Sequence, residues 1–404
     1  MKYKEQKRLI AEYFINSEKS RKDFLYGAEL EYFIVDNKSN RAISYYQKNG
    51  IKELLATLIE LGFEPILENS DLVGAVGPDL TITLEPGAQF EISLDPDKTL
   101  KGLEKKYLNF LQIIGPILKQ RNQQFYSAGY QPVTKIEDIP FIPKKRYRYM
   151  SEFLSSKGSM ALNMMKGTAS IHVAVDYCSE NDFAAKILLA SKLTPVFSAV
   201  YDNSSIFEGK KYENYCLRTE IWNNCDSSRC GIIPQVFLPD FGYEKYAEYL
   251  LELIPIYISD QEDLIIYDKP FKAIFDPQGD ADKQLNHIFS ICFPDVRARK
   301  YIELRMTDSL PYPLNFAFIE LVYEIFYNKT IFESTADLLN EINYYDIISA
   351  KKSAVQSGVE AKLGRKKIIT IFREIVNMTG YKNSENFAWN RIIAEKGKIP
   401  GELL

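Results

Sequence analysis

The chain has 404 residues, with 50 Lys+Arg against 54 Asp+Glu and a formal net charge of −4. Apolar residues make up 46% and charged residues 26%, an ordinary globular balance, and 27 Tyr with 24 Phe are far more than a disordered chain carries. A mildly acidic chain lacks the basic footprint of a nucleic-acid binder, and with His172 and His287 as its only histidines a three-histidine zinc site is excluded.

At roughly 150 residues per domain the length allows two to three domains, or one large core with appended helices. No run approaches ~18 uninterrupted apolar residues, so no membrane span is expected. The start, Met1 to Lys7, is charged and leads into a stretch with Glu12 and Asn16, not the apolar run of a secretory signal. Cys178, Cys216, Cys225, Cys230 and Cys292 are odd in number and lack a CxxC pair, which argues against a disulfide framework or a zinc ribbon. These features predict a cytoplasmic protein.

In chain order, residues 3–19 read as an amphipathic helix. Residues 24–36 alternate as a strand, with Ala28, Leu30, Tyr32 and Ile34 on one face and Glu29, Glu31 and Phe33 on the other. A helix is expected over 50–61 and short strands near 63–68 and 72–94, broken at Gly77-Pro78 and Pro86-Gly87. A long helix over 98–123 and a strand over 124–130 follow. The stretch 135–166 reads as irregular, and its basic cluster Lys144, Lys145, Arg146 and Arg148 as a solvated loop in preference to a cover over ATP. A strand at 168–177, a helix at 180–201, a loop-like mixture at 213–242 and a strand at 299–306 come next. From Pro313 the chain reads helical almost to its end. Adjacent strands mixed with helices indicate an α+β fold with a largely antiparallel sheet. No linker marks a boundary, so one catalytic domain over 1–325 with a helical C-terminal extension over 326–404 is expected.

The informative feature is where the carboxylates sit. Glu29 and Glu31 share a strand face, as do Gln89 and Glu91, while Glu85 precedes a Pro-Gly bend. Glu303 and Arg305 share another face, and Ser170, His172 and Asp176 a fourth. Like charges packed together on a sheet destabilise it unless water or cations neutralise them. Each pair alone reads most simply as a solvated strand face; four together gain meaning if their strands are neighbours. Clustered Glu with few His suits hard, oxygen-preferring magnesium or manganese shared with nucleotide phosphates. Neither GxxxxGK[ST] nor a GxGxxG after a strand occurs, so metals and arginines would have to hold any ATP phosphates.

Gly27-Ala28-Glu29-Leu30-Glu31, Leu84-Glu85-Pro86-Gly87-Ala88-Gln89-Phe90-Glu91, Pro294-Asp295-Val296-Arg297 and Tyr301-Ile302-Glu303-Leu304-Arg305 resemble, in order, the motifs of the glutamate–cysteine ligase family. Leu217-Arg218 through Ile221-Trp222, then Asp226, Arg229 and Gly231, are similar to its plant-type branch. The resemblance runs from about residue 26 to about residue 325. It implies a glutamine synthetase-like fold, a curved antiparallel sheet with flanking helices. It also implies ATP-dependent joining of L-glutamate to L-cysteine through γ-glutamyl phosphate, the first step of glutathione synthesis. Carried over, Glu29, Glu31, Glu85, Glu91 and Glu303 would hold magnesium, or manganese in its place. Arg305 would lie against the transferring phosphoryl group, Arg218 would hold the glutamate carboxylate, and Gln89 would be a polar neighbour of the metals. Trp222 is taken as a substrate-site wall, although packing is the commoner role of tryptophan.

The plant-type pattern is broken where His172-Val173-Ala174 replaces Gln-x-Asn, another branch of the superfamily having His-x-Asn there, and where Met306 to Leu310 replaces a glycine-rich turn. His172 then stands as a functional replacement touching phosphate or substrate, beside its reading as a hydrogen-bonded core histidine. Ala174 and the changed turn after Arg305 motivate one alternative, a ligase using a different amine acceptor; a non-catalytic nucleotide- or amino-acid-binding protein on the same fold is the alternative from a different class. The expected partners are small molecules only, with no nucleic acid and no membrane, and the chain is expected as a monomer or homodimer.

Overall fold

Strand β1, Gly27–Asp36, is the hub of the fold. Its alternation sends Ala28, Leu30, Tyr32 and Ile34 into the main core and turns Glu29 and Glu31 to the other face. In the computed structural model, which describes residues 2–260, 263–380 and 384–400, nine strands form one sheet around it. The others are β2 (Glu64–Glu68), β3 (Asp71–Val76), β4 (Leu80–Leu84), β5 (Phe90–Leu94), β6 (Gln123–Tyr126), β7 (Ser170–Val175), β8 (Val296–Ala298) and β9 (Ile302–Asp308). Their order is β8-β9-β7-β1-β5-β4-β3-β2, with β6 on the far half of β1, and every pairing is antiparallel. The expected α+β class with an antiparallel sheet and flanking helices is what forms.

Helices cover the apolar face. Tyr107, on helix Leu100–Gln120, meets Tyr32 at 2.8 Å between hydroxyls. Tyr323, on helix Leu314–Tyr327, donates to the carbonyls of Gly27 and Ala174, both at 2.8 Å, tying that helix beneath β1 and β7. Helix Glu180–Val200 packs on β8 and β9 and is buried along most of its length. Its length and composition would suit a membrane span, but 83% of its apolar window is already buried inside the protein. The C-terminal helices Tyr344–Ser357 and Ile368–Met378 pack on it, and Glu385–Lys396 packs on Leu314–Tyr327. One apolar core runs from Ile10 to Ile399. Residues 381–383 and 401–404 of the expected C-terminal extension lie outside the described residues.

Several local expectations change. The stretch read as irregular holds helices Arg146–Ser155 and Ala161–Gly167. Pro140 and Pro143 dominate its composition, yet Tyr147, Met150, Phe153 and Leu154 recur at helical spacing and bury one face. The mixture at 213–242 holds helix Leu217–Asn223, entered from Cys216 in the left-handed region at φ 52°. The first helix stops at Ile15, and β9 runs later than expected, to Asp308. Between Leu304 and Thr307 its pairing with β7 slips by one residue. Such a bulge bends a strand and re-aims its side chains, here at Arg305.

Candidate active site

Cross-strand register brings the acidic faces together. Glu29 lies opposite Ser93 on β5 and His172 on β7, and Glu31 lies opposite Glu91 on β5. On β9, Glu303 lies opposite Ala174 of β7 and Arg297 of β8. The four strand faces are therefore neighbours. A cavity of about 250 Å³ opens over them, walled by Glu29, Glu31, Glu85, Gln89, Glu91, His172, Arg218, Trp222 and Arg305. Glu303 sits at its edge and lines a second cavity of about 220 Å³ with Glu29, His172, Gly27 and Ala174.

The turn between β4 and β5 carries Glu85 to the rim. Ala88 N donates to Glu85 O at 2.9 Å, with Ala88 itself at φ 68°. A Cβ on Gly87 would lie 2.4 Å from the Lys166 carbonyl, so only glycine lets this turn reach helix Ala161–Gly167. Gln89 locks that contact. Its Nε2 donates to Met165 O and Thr168 O at 3.1 and 3.0 Å, and its Oε1 accepts from Gly87 N at 2.8 Å. Its amide is thus committed to the backbone, while the side chain stays in the cavity wall beside the acids, where a polar neighbour was expected.

Burial and mutual repulsion raise the carboxylates. Burial, with Glu303 nearby, pushes Glu29 up to about 7. Burial, with Glu91 and Glu85, outweighs His172 and pushes Glu31 up to about 7. Burial, with Glu29 and Glu85, pushes Glu91 up to about 8. Glu31 accepts from Ser170 N at 2.7 Å and Oγ at 2.9 Å, and Glu91 from Thr83 Oγ1 at 2.5 Å. Glu303 behaves oppositely. Burial acts to raise it, but Arg297 and Arg305 hold its carboxyl well below the usual range. Arg297 grips it with Nε at 2.6 Å and Nη2 at 3.2 Å, and Arg305 Nη1 lies at 3.1 Å.

His172 stands between these groups. Nδ1 is 3.0 Å from Glu29 Oε2 and 3.4 Å from Arg305 Nη1, and Nε2 is 2.7 Å from Ser170 Oγ. Burial, reinforced by Arg305, lowers it to about 3, so it is a neutral imidazole at neutral pH. Donor atoms of Glu29, Glu91 and His172 lie within 4.8 Å of one another, a spacing that suits one metal ion. The sequence expectation of an all-glutamate set thus gains an imidazole, while Glu303 is engaged by arginines.

Opposite the acids stand Arg146, Arg218, Arg297, Arg299 and Arg305. Arg218 is 5% exposed, donates from Nη2 to Arg305 O at 3.0 Å and stacks 5.5 Å from the Trp222 ring. Its Nε and Trp222 Nε1 are buried with no partner among the described residues. Buried donors left open in a cavity wall suit an acceptor supplied by a ligand. Three arginines escaped the sequence reading. Arg297 lies in a motif that carries no role for it, and its grip on Glu303 follows from the β8–β9 register. Arg299 gave no signal. Arg146 lines the cavity although its cluster was expected to be solvated; Lys145 and Arg148 do stay exposed.

The family described as Glutamate-cysteine ligase family 2 matches residues 25–371. The chain belongs to the glutamate–cysteine ligase family. It is 28% identical over 414 residues to glutamate–cysteine ligase A, chloroplastic, of Oryza sativa subsp. japonica, covering 98% of this chain and 83% of that one. The chloroplastic enzyme of Nicotiana tabacum is 27% identical over 98% of this chain and 78% of its own length. In structure, the fold is similar to that of a glutamate–cysteine ligase from Francisella tularensis in complex with AMP. The TM-score is 0.57 at 13% identity, covering 94% of this chain and 82% of that one. A member of this ligase family is an enzyme, so the non-catalytic alternative falls.

The relatives also correct the cytoplasmic expectation, because the plant ligases matched are named chloroplastic. Plastid transit peptides are amphipathic and Ser- and Arg-rich, so a missing apolar run says nothing about that compartment.

Proposed function

We propose that this chain joins L-glutamate to L-cysteine at the expense of ATP, making γ-glutamylcysteine through γ-glutamyl phosphate. The observation that carries this reading is the division of one cavity into acids on β1 and β5 and arginines on β8, β9 and the nearby helices. Such a wall binds a polyphosphate through cations on one side and guanidinium groups on the other.

The donors of Glu29, Glu91 and His172 fit a divalent cation, with Glu31 and Glu85 beside them, and magnesium or manganese there would neutralise phosphoryl oxygens. Arg218 holds the α-carboxylate of glutamate, using the Nε that has no protein partner. The γ-carboxylate oxygen then attacks the γ-phosphorus of ATP, and the bond to the bridging oxygen breaks to release ADP. Arg305, kept in place by Glu303, draws charge off the transferring phosphoryl group. The acceptor amine next attacks the acyl carbon and phosphate leaves. His172, neutral and with Nε2 tied to Ser170, would offer Nδ1 to the cation beside Glu29 rather than move protons.

Ala174 had raised the case for a different amine. It faces the second cavity beside Gly27, apart from Arg218 and Trp222, so its small side chain gives no reason to change the acceptor. The test is ADP release by purified protein with ATP, Mg²⁺ and L-glutamate, with and without L-cysteine, and product mass by spectrometry. Cysteine-dependent turnover yielding γ-glutamylcysteine is expected. Turnover indifferent to cysteine would reject the reading. Arg218→Lys should raise the KM for glutamate on the order of tenfold, because lysine cannot make the paired contact.

A further inference from the structure

The cavity wall continues past Trp222. Arg218, Trp222, Phe293 and Arg305 also line a tight alcove of about 10 Å³, which Asp295 and Lys351 help to close. Trp222 and Lys351 in turn line an outer cavity of about 550 Å³ between helices Leu217–Asn223 and Tyr344–Ser357. One indole and one lysine therefore stand between the reacting centre and a space larger than the catalytic cavity itself.

Lys351 pairs with Asp295, and the two side chains are only 5% and 11% exposed. Taking two charges out of water costs several kcal/mol per ion, and an apolar pair would dock the helix as well. Gly231, at φ 84°, lines the outer cavity, and a Cβ there would meet only Lys351 Nζ, 3.9 Å away. Asp295 is joined to the catalytic strand, since its carbonyl accepts from Arg305 N at 2.9 Å. A free amino acid carries one ammonium and one carboxylate, and this pair offers the complementary charges next to Arg305.

We propose that the outer cavity admits the acceptor amino acid, with Lys351 receiving its α-carboxylate and Asp295 drawing its ammonium toward the acyl phosphate at Arg305. Without acceptor the two side chains satisfy each other. The proposal rests on the ligase reading above and deepens it: a residue of the C-terminal helices sets acceptor specificity. In the step served, the C–N bond forms at the γ-acyl carbon and the C–O bond to phosphate breaks, phosphate leaving with the electron pair. The ammonium nitrogen loses two protons, one to solvent through the outer cavity and one to the departing phosphate.

The test compares kcat/KM for L-cysteine with that for cysteamine, which keeps the amine and thiol but lacks the carboxylate. Wild-type protein should prefer cysteine on the order of 100-fold, the worth of one buried charge-assisted contact. Lys351→Met should erase most of that preference by raising the cysteine KM, with the KM for glutamate and ATP nearly unchanged. Lys351→Arg should keep it. Asn223→Trp, an exposed position lining the outer cavity, should raise the cysteine KM alone. An active Lys351→Met with wild-type preference overturns the inference, as does a parallel rise in all three KM values. Should Lys351→Met not fold, an unchanged cysteine KM in Asn223→Trp overturns it. Wild-type protein without cysteine-dependent turnover would instead sink the ligase reading, and the inference with it.

Discussion

Glu91 and Glu303 are the same side chain on the same face of one sheet, and their neighbours make them different acids. Glu91 has a hydroxyl and other carboxylates around it, and burial pushes it up to about 8. Glu303 has two arginines and stays ionised. Removing one partner of such a buried cluster strands the remaining charge. Arg297→Met should therefore cost about 3 kcal/mol in urea unfolding and depress glutamate-dependent ADP release. A variant as stable as wild type would show that Arg305 alone suffices. Strand alternation made the glutamates readable from sequence, since residues two apart must share a face. Arg297 was not readable in role, because its grip on Glu303 depends on which strands pair and in what register.

At the scale of elements, the site is shaped by one turn and one bulge. Gly87→Ala would drive a Cβ into the Lys166 backbone, so the β4–β5 turn and helix Ala161–Gly167 must separate. The expected result is a loss above about 2 kcal/mol and reduced ATP turnover; wild-type thermal stability would contradict it. A distant helix is held just as specifically. Asn390, fully buried on Glu385–Lys396, accepts from Tyr201 at 2.5 Å and donates to Ala317 O at 2.8 Å. Asn390→Leu leaves both partners unsatisfied and should cost about 2–3 kcal/mol, measured by denaturant unfolding. Helix Leu217–Asn223 shows the limit of local reading. Seven residues give too little periodicity to register, and what holds it is burial of Leu217, Arg218, Thr219 and Ile221.

For the whole molecule, the acid cluster makes stability depend on pH and metal together. Glu29, Glu31 and Glu91 rise from an ordinary 4.5 to about 7, 7 and 8. A carboxyl raised on folding costs nothing below its unfolded value, where both states are protonated. The cost grows as pH climbs and is complete above the folded value. Metal-free protein should lose stability between about pH 4.5 and pH 8. Bound magnesium or manganese should restore it, releasing protons as it binds. Melting temperatures with EDTA and with Mn²⁺, at pH 5 and pH 8.5, should diverge only at the higher pH. Glu91→Gln should raise the metal-free value there and blunt the metal response. Equal melting curves at both pH values would mean the carboxylates are not held in common.

Residue order alone determined that β1 would carry two glutamates on one face and an apolar stripe on the other, because the side-chain period of a strand is two. It also carried the motifs that mark the family, since each is a contiguous run of residues. Tertiary structure decided what each group does. His172 joins Glu29 and Glu91, Glu303 is claimed by arginines, and Gln89 is spent on the backbone. Lys351 reaches the site from a helix far along the chain. Protonation and partnership follow from burial and distance, and both arise only when β7 pairs with β1 and with β9 across gaps of more than a hundred residues.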